Sequence, residues 1–380
     1  MVASAMNRSW TIATIRGIPI RVHISLLVLL PLAAITFSNQ FRFYYSSLGL
    51  GPGESVLPPL VWGIILAFGL LLGILLHELA HCMVAISNGV RVESITLMML
   101  GGISRIEGEI ARPLREVMMA AAGPLTSLAI GAVFYVAAKA LPGLPAENKA
   151  AGILFAIVNV VLGIFNLLPA FPMDGGRILR AALTPAMGRL AATRRAALVG
   201  KILAVPLALL GIFFNPLLVL IAVFIVLGAS AETSMLENRV LLAGRRVGAF
   251  ADPRIGNVTP ETPVWHVAER FLEDNLVAVR VGDGVNGPGA GYITLGDLER
   301  VGKKGARLTA GDIARRDLPR VWASHDAAAV LQAAQARGRD AVLVFEDNGE
   351  PVGIVTGADL GRAAAIASLL QDLAAPENRT

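Results

Sequence analysis

An apolar run from Leu57 to Ser87, LPPLVWGIILAFGLLLGILLHELAHCMVAIS, carries His77, Glu78 and His81 near its end. About 20 apolar residues suffice to cross the hydrocarbon core of a bilayer. Ionisable groups at that depth cost several kcal/mol, roughly 2.5–3.5 on insertion scales. A chain that keeps three of them there must give them partners. The spacing says what the partners can share. Histidines at i and i+4 lie on one face of a helix and reach one metal ion, with the glutamate between them beside the open coordination position. Water on a zinc ion becomes acidic enough to yield hydroxide near neutral pH, and Glu78 can take its proton.

The rest of the chain fits a membrane setting. Of 380 residues, 55% are hydrophobic and 16% charged, against about 25% charged in a soluble domain. Six spans are expected, at roughly 23–38, 59–87, 116–140, 150–169, 195–214 and 216–233, the last two separated by the turn signal Asn215-Pro216. Arginines test the topology. Arg8, Arg16 and Arg21 precede span one, Arg91, Arg105, Arg112 and Arg115 follow span two, and Arg177, Arg180, Arg189, Arg194 and Arg195 follow span four. Arg239, Arg245 and Arg246 follow span six, while the alternate loops offer Arg42 and Lys149. The positive-inside rule then places both termini in the cytoplasm. The net charge of +5 thus reports topology rather than nucleic-acid binding. The single cysteine, Cys82, excludes an intrachain disulfide framework. The first span reads as retained rather than as a cleaved signal.

Between spans two and three, RVESITLMMLGGISRIEGEI (91–110) reads as two short strands at the cytoplasmic rim, or as an ordinary interfacial loop. Beyond about Arg245 the composition turns mixed and polar, and a repeat appears. GYITLGDL at 291–298 matches GIVTGADL at 353–360, each preceded by a helix-like stretch and an apolar strand. The fold expected is a polytopic α-helical membrane protein of about six transmembrane helices with a short membrane-edge β-sheet, followed by a C-terminal α/β pair. Its boundaries are 1–235 for the membrane domain, 236–250 for a linker, 251–303 and 304–370 for the two repeats, and 371–380 for a flexible tail.

A zinc site needs a third protein ligand. Asp174, in NLLPAFPMDGG (166–176) at the cytoplasmic end of span four, is the better placed candidate. His77 lies about ten residues from the end of span two, so roughly 15 Å below the surface, and the Pro and Gly residues around Asp174 let the chain bend inward. Read alone, Asp174 can equally be a turn residue or helix cap. Asn159 and Asn166 share a face of span four. Asn166 can contact a substrate backbone or a developing oxyanion, or either amide can simply join two helices.

HELAH in an early span followed by NLLPAFPMDGG in a later one resembles the site-2 protease family of intramembrane zinc metalloproteases. AGPLTS (122–127) is similar to the family's third-span signature, although Ser127 stands where many relatives carry asparagine. The resemblance covers roughly residues 10–230. It implies His77, His81 and Asp174 as zinc ligands, Glu78 as general base, and Asn166 as a catalytic and substrate contact. It also implies that strands around Gly101, Gly102 and Ile103 bind an unwound substrate.

The tail resembles tandem cystathionine-β-synthase (CBS) domains, which implies adenine nucleotide (ATP, ADP or AMP) at Thr294, Asp297, Thr356 and Asp359, and a homodimer through the pair. Thr and Asp at that spacing are also ordinary helix caps. The implied partner is a transmembrane protein in a prokaryotic plasma membrane, such as an anti-sigma factor, a pro-sigma factor or a signal-peptide remnant. A CBS-gated transporter, a silent scaffold and zinc hydrolysis of a non-peptide bond are the alternatives.

Overall fold

The computed structural model describes residues 9–47, 56–99, 101–107, 112–282, 291–316, 318–336 and 341–374. It divides into two compact units, residues 2–233 and 234–380.

In the first unit a hairpin of β1 (Ser9–Ile15) and β2 (Ile18–His23) leads into helix α1 (Leu26–Ser47) and then α2 (Pro59–Ser87). Strands β3 (Arg91–Met98) and β4 (Gly101–Glu107) follow, then α3 (Pro113–Ala140), α4 (Ala146–Asn166), a shorter α5 (Asp174–Met187), α6 (Arg189–Phe213) and α7 (Pro216–Leu242). Six of these helices, all but α5, are long and apolar enough to cross a membrane. Pro59 and Pro113 sit in the first turns of α2 and α3, where the missing N–H costs nothing and φ is already helical.

Helix α1 runs nine residues past the expected end at 38. The polar stretch Ser38-Asn39-Gln40 lies within the helix. Helical periodicity nevertheless keeps Phe37, Phe41 and Tyr45 on one buried face against Trp62, Ala150 and Leu154. The ring of Phe41 stacks on those of Tyr45 and Trp62, with centroids 5.5 and 5.4 Å away. Close approach of α1 and α2 depends on Gly63, where an added Cβ would lie 2.1 Å from the Ala34 carbonyl.

The two strands expected over 91–110 are present as β3 and β4, but the sheet is four-stranded, ordered β1-β2-β3-β4. The leading hairpin was not anticipated; β1 is exposed along almost all of its length. Its turn is Arg16-Gly17, both at positive φ (50° and 83°), the geometry of a tight two-residue hairpin. Strands β2 and β3 pair in parallel. Ile18, Ile20, Ile95 and Leu97 form one face, packed with Ile74 and Cys82 of α2.

Helix α5 was also unforeseen, and it is pinned by a buried ion cluster. The Arg180 guanidinium donates to Glu116 of α3 through Nε (3.1 Å) and Nη2 (2.5 Å), and to Glu232 of α7 through Nη1 (2.5 Å). It also lies over the Phe171 ring.

In the second unit, β5 (Ile255–Val258), α8 (Val264–Glu273), β6 (Ala278–Val281), β7 (Gly291–Thr294) and α9 (Leu295–Val301) form one module. After α10 (Ala310–Ile313), β8 (Arg320–Trp322), α11 (Ala327–Ala336), β9 (Ala341–Phe345), β10 (Pro351–Thr356) and α12 (Gly357–Ala374) form the other. Both sheets share one pattern: the first strand parallel to the middle one and the third antiparallel to it. The short leading strands β5 and β8 extend each module beyond the helix-strand-strand-helix order read from sequence.

The expected boundaries shift with packing. Residues 236–242 belong to α7, and Val247 enters the core of the second module with Val344 and Leu360. Conversely, Ala310 packs in the core of the first module. Each module therefore borrows a short segment from before the other, which a linear reading cannot detect. Of the expected tail, 371–374 continue α12, and 375–380 lie outside the described residues.

Removing one partner of a buried ion pair strands the other, at a cost of about 3–5 kcal/mol. Arg180→Ala is expected to lower the thermal unfolding temperature in detergent markedly. Glu232→Ala should do so less than Glu116→Ala, because the Glu232 side chain is 32% exposed and that of Glu116 only 8%. Equal stability of Arg180→Ala and the parent would contradict this reading.

Candidate metal centre

His77 and His81 face the bundle interior from α2, both buried. Asp174 opens α5 and meets them from the other side. Its Oδ2 lies 3.2 Å from His77 Nε2 and 3.1 Å from His81 Nε2. Ligand atoms of the three residues all fall within 4.8 Å of one another. Two donors bound to zinc at 2.0–2.1 Å in tetrahedral geometry stand roughly 3.3 Å apart, so this set matches the edge of such a site.

The outer ring nitrogens are committed elsewhere. His81 Nδ1 lies 2.7 Å from the Met119 carbonyl, an acceptor, so Nδ1 carries the proton. His77 Nδ1 lies 2.9 Å from the Ser127 hydroxyl. The neutral His81 ring thus turns its Nε2 lone pair toward Asp174, as a metal requires, and the Ser127 hydroxyl, which can accept as well as donate, is able to hold His77 in the same tautomer. Gly123 makes the space. A Cβ there would sit 2.3 Å from His81 Nε2 and 2.5 Å from His77 Nε2. Gly123 and Ser127 are four apart on α3, so AGPLTS presents a gap and a hydroxyl on one helix face. The residues present therefore fit a zinc ion.

Asp174 is brought in by the turn 167–173 rather than by a flexible hinge. Gly175 and Gly176 let the first turn of α5 lie flat on that turn: a Cβ at Gly175 would be 2.2 Å from the Leu168 carbonyl, and one at Gly176 2.7 Å from the Ala170 carbonyl carbon. The helix-cap alternative for Asp174 is not realised, since the N-cap position is Met173 and Asp174 makes no capping bond.

Glu78 is turned to the sheet. It accepts a hydrogen bond from the Ser104 hydroxyl at 2.6 Å, and Ser104 in turn accepts from the Cys82 thiol at 3.3 Å. The backbone of β4 passes against it, since a Cβ on Gly102 would lie 2.3 Å from Glu78 Cγ. Gly101, Gly102 and Ile103 thus run beside Glu78, with Gly101 at φ +124°.

The expected contact Asn166 is not brought into this group by a bond: its amide donates to the Leu162 carbonyl of its own helix, at 3.0 Å. Asn159 donates likewise to Phe155, and its buried Oδ1 has no hydrogen-bond partner among the described residues, facing Gly73 one turn from His77. Sequence reasoning missed Ser104, Gly123 and the Met119 carbonyl. The first two lie in motifs already singled out, whereas a backbone acceptor leaves no residue-type signal.

In the second unit the Thr–Asp pairs are helix caps. Asp297 Oδ2 accepts the Thr294 N–H (2.9 Å) and hydroxyl (2.8 Å), and both residues are buried. Asp359 does the same for Thr356, at 2.9 and 2.6 Å. Thr309 and Asp312 form a third such box, outside the repeated motif. There the Thr309 backbone N–H and hydroxyl hold the Asp312 carboxyl below the usual carboxylate range. The pattern alone therefore reads first as capping.

Residues 65–153 and 146–210 match peptidase family M50, and residues 310–365 match the CBS domain. A zinc metalloprotease of Methanocaldococcus jannaschii is 30% identical over 374 residues, spanning 97% of this chain and 99% of that protein. Rip3 of Mycobacterium tuberculosis is 33% identical over 390 residues, 96% of this chain and 95% of its own. Among solved structures, the site-2 protease from Methanocaldococcus jannaschii aligns with a TM-score of 0.43 at 34% identity, covering 60% of this chain and 95% of that one.

Second-sphere partners of metal-bound histidine typically contribute 10- to 100-fold in affinity. Ser127→Ala is expected to weaken zinc binding by about tenfold or more in chelator competition, and Gly123→Ala to abolish it. Unchanged zinc affinity in both variants would rule out this support.

Proposed function

This chain belongs to peptidase family M50, the site-2 proteases, and from that premise we propose that it cleaves a peptide bond within or near a transmembrane helix of a membrane protein. It is a zinc metalloprotease of that family with a CBS domain, which removes the transporter, silent-scaffold and non-peptide hydrolase alternatives. The observation that carries the finer reading is the convergence of two Nε2 atoms and one carboxylate oxygen in the bundle interior, beside a glutamate and a free strand edge.

In this reading His77, His81 and Asp174 hold the ion. When bound, zinc supplies a Lewis acid that polarises the scissile carbonyl and acidifies a water. Glu78 takes the proton of the attacking water and returns it to the leaving amine. Ser104 holds that carboxylate in place through its 2.6 Å hydrogen bond. A helical substrate hides its carbonyls in its own hydrogen bonds, so the segment to be cut must become extended. Among the described residues strand β4 has β3 as its only sheet neighbour, and its other edge can take up an extended chain by backbone pairing. Gly101, Gly102 and Ile103 lie on that edge next to Glu78. Asn166 is assigned to contact the substrate after its amide leaves Leu162.

The arginine distribution supports cytoplasmic termini in a prokaryotic plasma membrane. We extend the proposal to adenine nucleotide at the soluble pair. Thr356 and Asp359 are the more accessible motif, with the exposed Arg362 guanidinium paired to Asp359, whereas Thr294 and Asp297 are closed within the fold.

Elemental analysis of detergent-purified protein tests the site. The parent and Glu78→Gln are expected to hold about one zinc per chain, and His81→Ala and Asp174→Ala little. Cleavage of transmembrane test substrates by Glu78→Gln should fall by roughly 10²- to 10⁴-fold, the usual contribution of a general base. Full activity in Glu78→Gln, or a parent that binds no zinc when it is supplied, would overturn the proposal.

A further inference from the structure

The membrane-edge sheet has a second face that the proteolytic reading does not use. Ile18, Ile20, Ile95 and Leu97 pack against α2, so alternation points the intervening residues the other way. Register aligns Thr11 with Arg21 and Arg21 with Thr96 across three strands, and two residues along β1 and β2, Ser9 with His23. Arg105 of β4 pairs with Ser94 of β3, on the same face as Thr96.

These groups surround a cavity of about 320 Å³ lined by Ser9, Thr11, Arg21, His23, Thr96 and Arg105, together with Met98. No carboxylate is among the described lining residues. Among the described residues, neither Arg21 nor Arg105 has an ion-pair or hydrogen-bond partner. His23 Nδ1 accepts the Ser25 N–H at 3.1 Å. The cavity is therefore built of cations, N–H and O–H groups.

We infer that this cavity binds the phosphate group of an anionic phospholipid. Two guanidinium forks and several hydroxyls on one face match phosphate, which accepts on every oxygen. The sheet stands where a headgroup would be. Strand β2 ends at His23 and α1 begins at Leu26, while α2 ends at Ser87 and β3 begins at Arg91, so it lies at the membrane face where α1 enters and α2 leaves. The same hairpin exposes apolar anchors, Trp10 at 53% and Ile12 at 62%, of the kind that settle at an interface. A bound headgroup would act next to the candidate site, because Arg105 adjoins Ser104, the residue that holds Glu78.

Native mass spectrometry of the full chain tests this. Detergent-solubilised protein is offered equal amounts of phosphatidylglycerol and phosphatidylcholine of the same acyl chains, and retained lipid is counted. The parent is expected to prefer phosphatidylglycerol by roughly ten- to thirtyfold, the scale set by two arginines near an anionic surface. Arg21→Gln/Arg105→Gln should lose that preference while keeping the parent's zinc content, and Arg21→Lys/Arg105→Lys should keep much of it. Displacement by millimolar inorganic phosphate would show that free phosphate occupies the same site, and resistance to it would identify the lipid as the source. A parent without preference overturns the inference, as does a Gln variant that retains it. Binding of an acidic peptide by a parent that shows no lipid preference would assign the face to a protein partner instead and equally overturn it.

Discussion

Everything in the membrane unit turns on keeping ionised or strongly polar groups satisfied where water is scarce. His77, His81 and Asp174 form one set: each imidazole has one nitrogen on Asp174 and the other on a fixed group of α3. An isolated buried charge costs far more than a paired one, so the cluster holds together three chain segments that no apolar pattern would join. The same arrangement leaves the Nε2 lone pairs and a carboxylate facing one point. Lone pairs and a carboxylate do not satisfy one another, so a cation at that point would be what closes the set.

The surrounding bundle serves that geometry by close approach. Gly123 leaves room for both rings, Gly175 and Gly176 let α5 press on the preceding turn, and Gly102 lets β4 lie on Glu78. Small residues at helix contacts are the usual means of packing in lipid, where burial of apolar surface gives no driving force between helices. Arg180 adds a polar anchor. It ties α5, and with it Asp174, to α3 and α7, the latter running on past the division between the two units. Sheet and bundle meet at the same place, so the strand edge, the candidate base and the basic face form one neighbourhood at the membrane rim.

The second unit is held together differently. Its two modules share strand order, pairing sense and capping box, and each completes its core with a segment that precedes the other. That exchange makes the pair a single structural unit rather than two beads, and the Thr–Asp pairs are first of all part of its framework.

Much was legible from residue pattern. The HELAH spacing, the later Asp174, the six apolar spans, the strands after span two and the repeat all rest on local periodicity, which a linear chain displays directly. The sequence by itself therefore determined the class of fold, the metal-ligand set as a hypothesis, and the change from a strongly apolar to a mixed, polar composition. Tertiary structure alone decided the rest. It chose the tautomer of His81 through the Met119 carbonyl, set Ser127 against His77, added β1 and β2 to the sheet, and aimed Arg180 at Glu116 and Glu232. It also turned Asn166 back on its own helix. The reason is physical: these outcomes depend on which groups meet across fifty or more residues of chain, or on backbone atoms that every residue shares, and neither is encoded in local spacing.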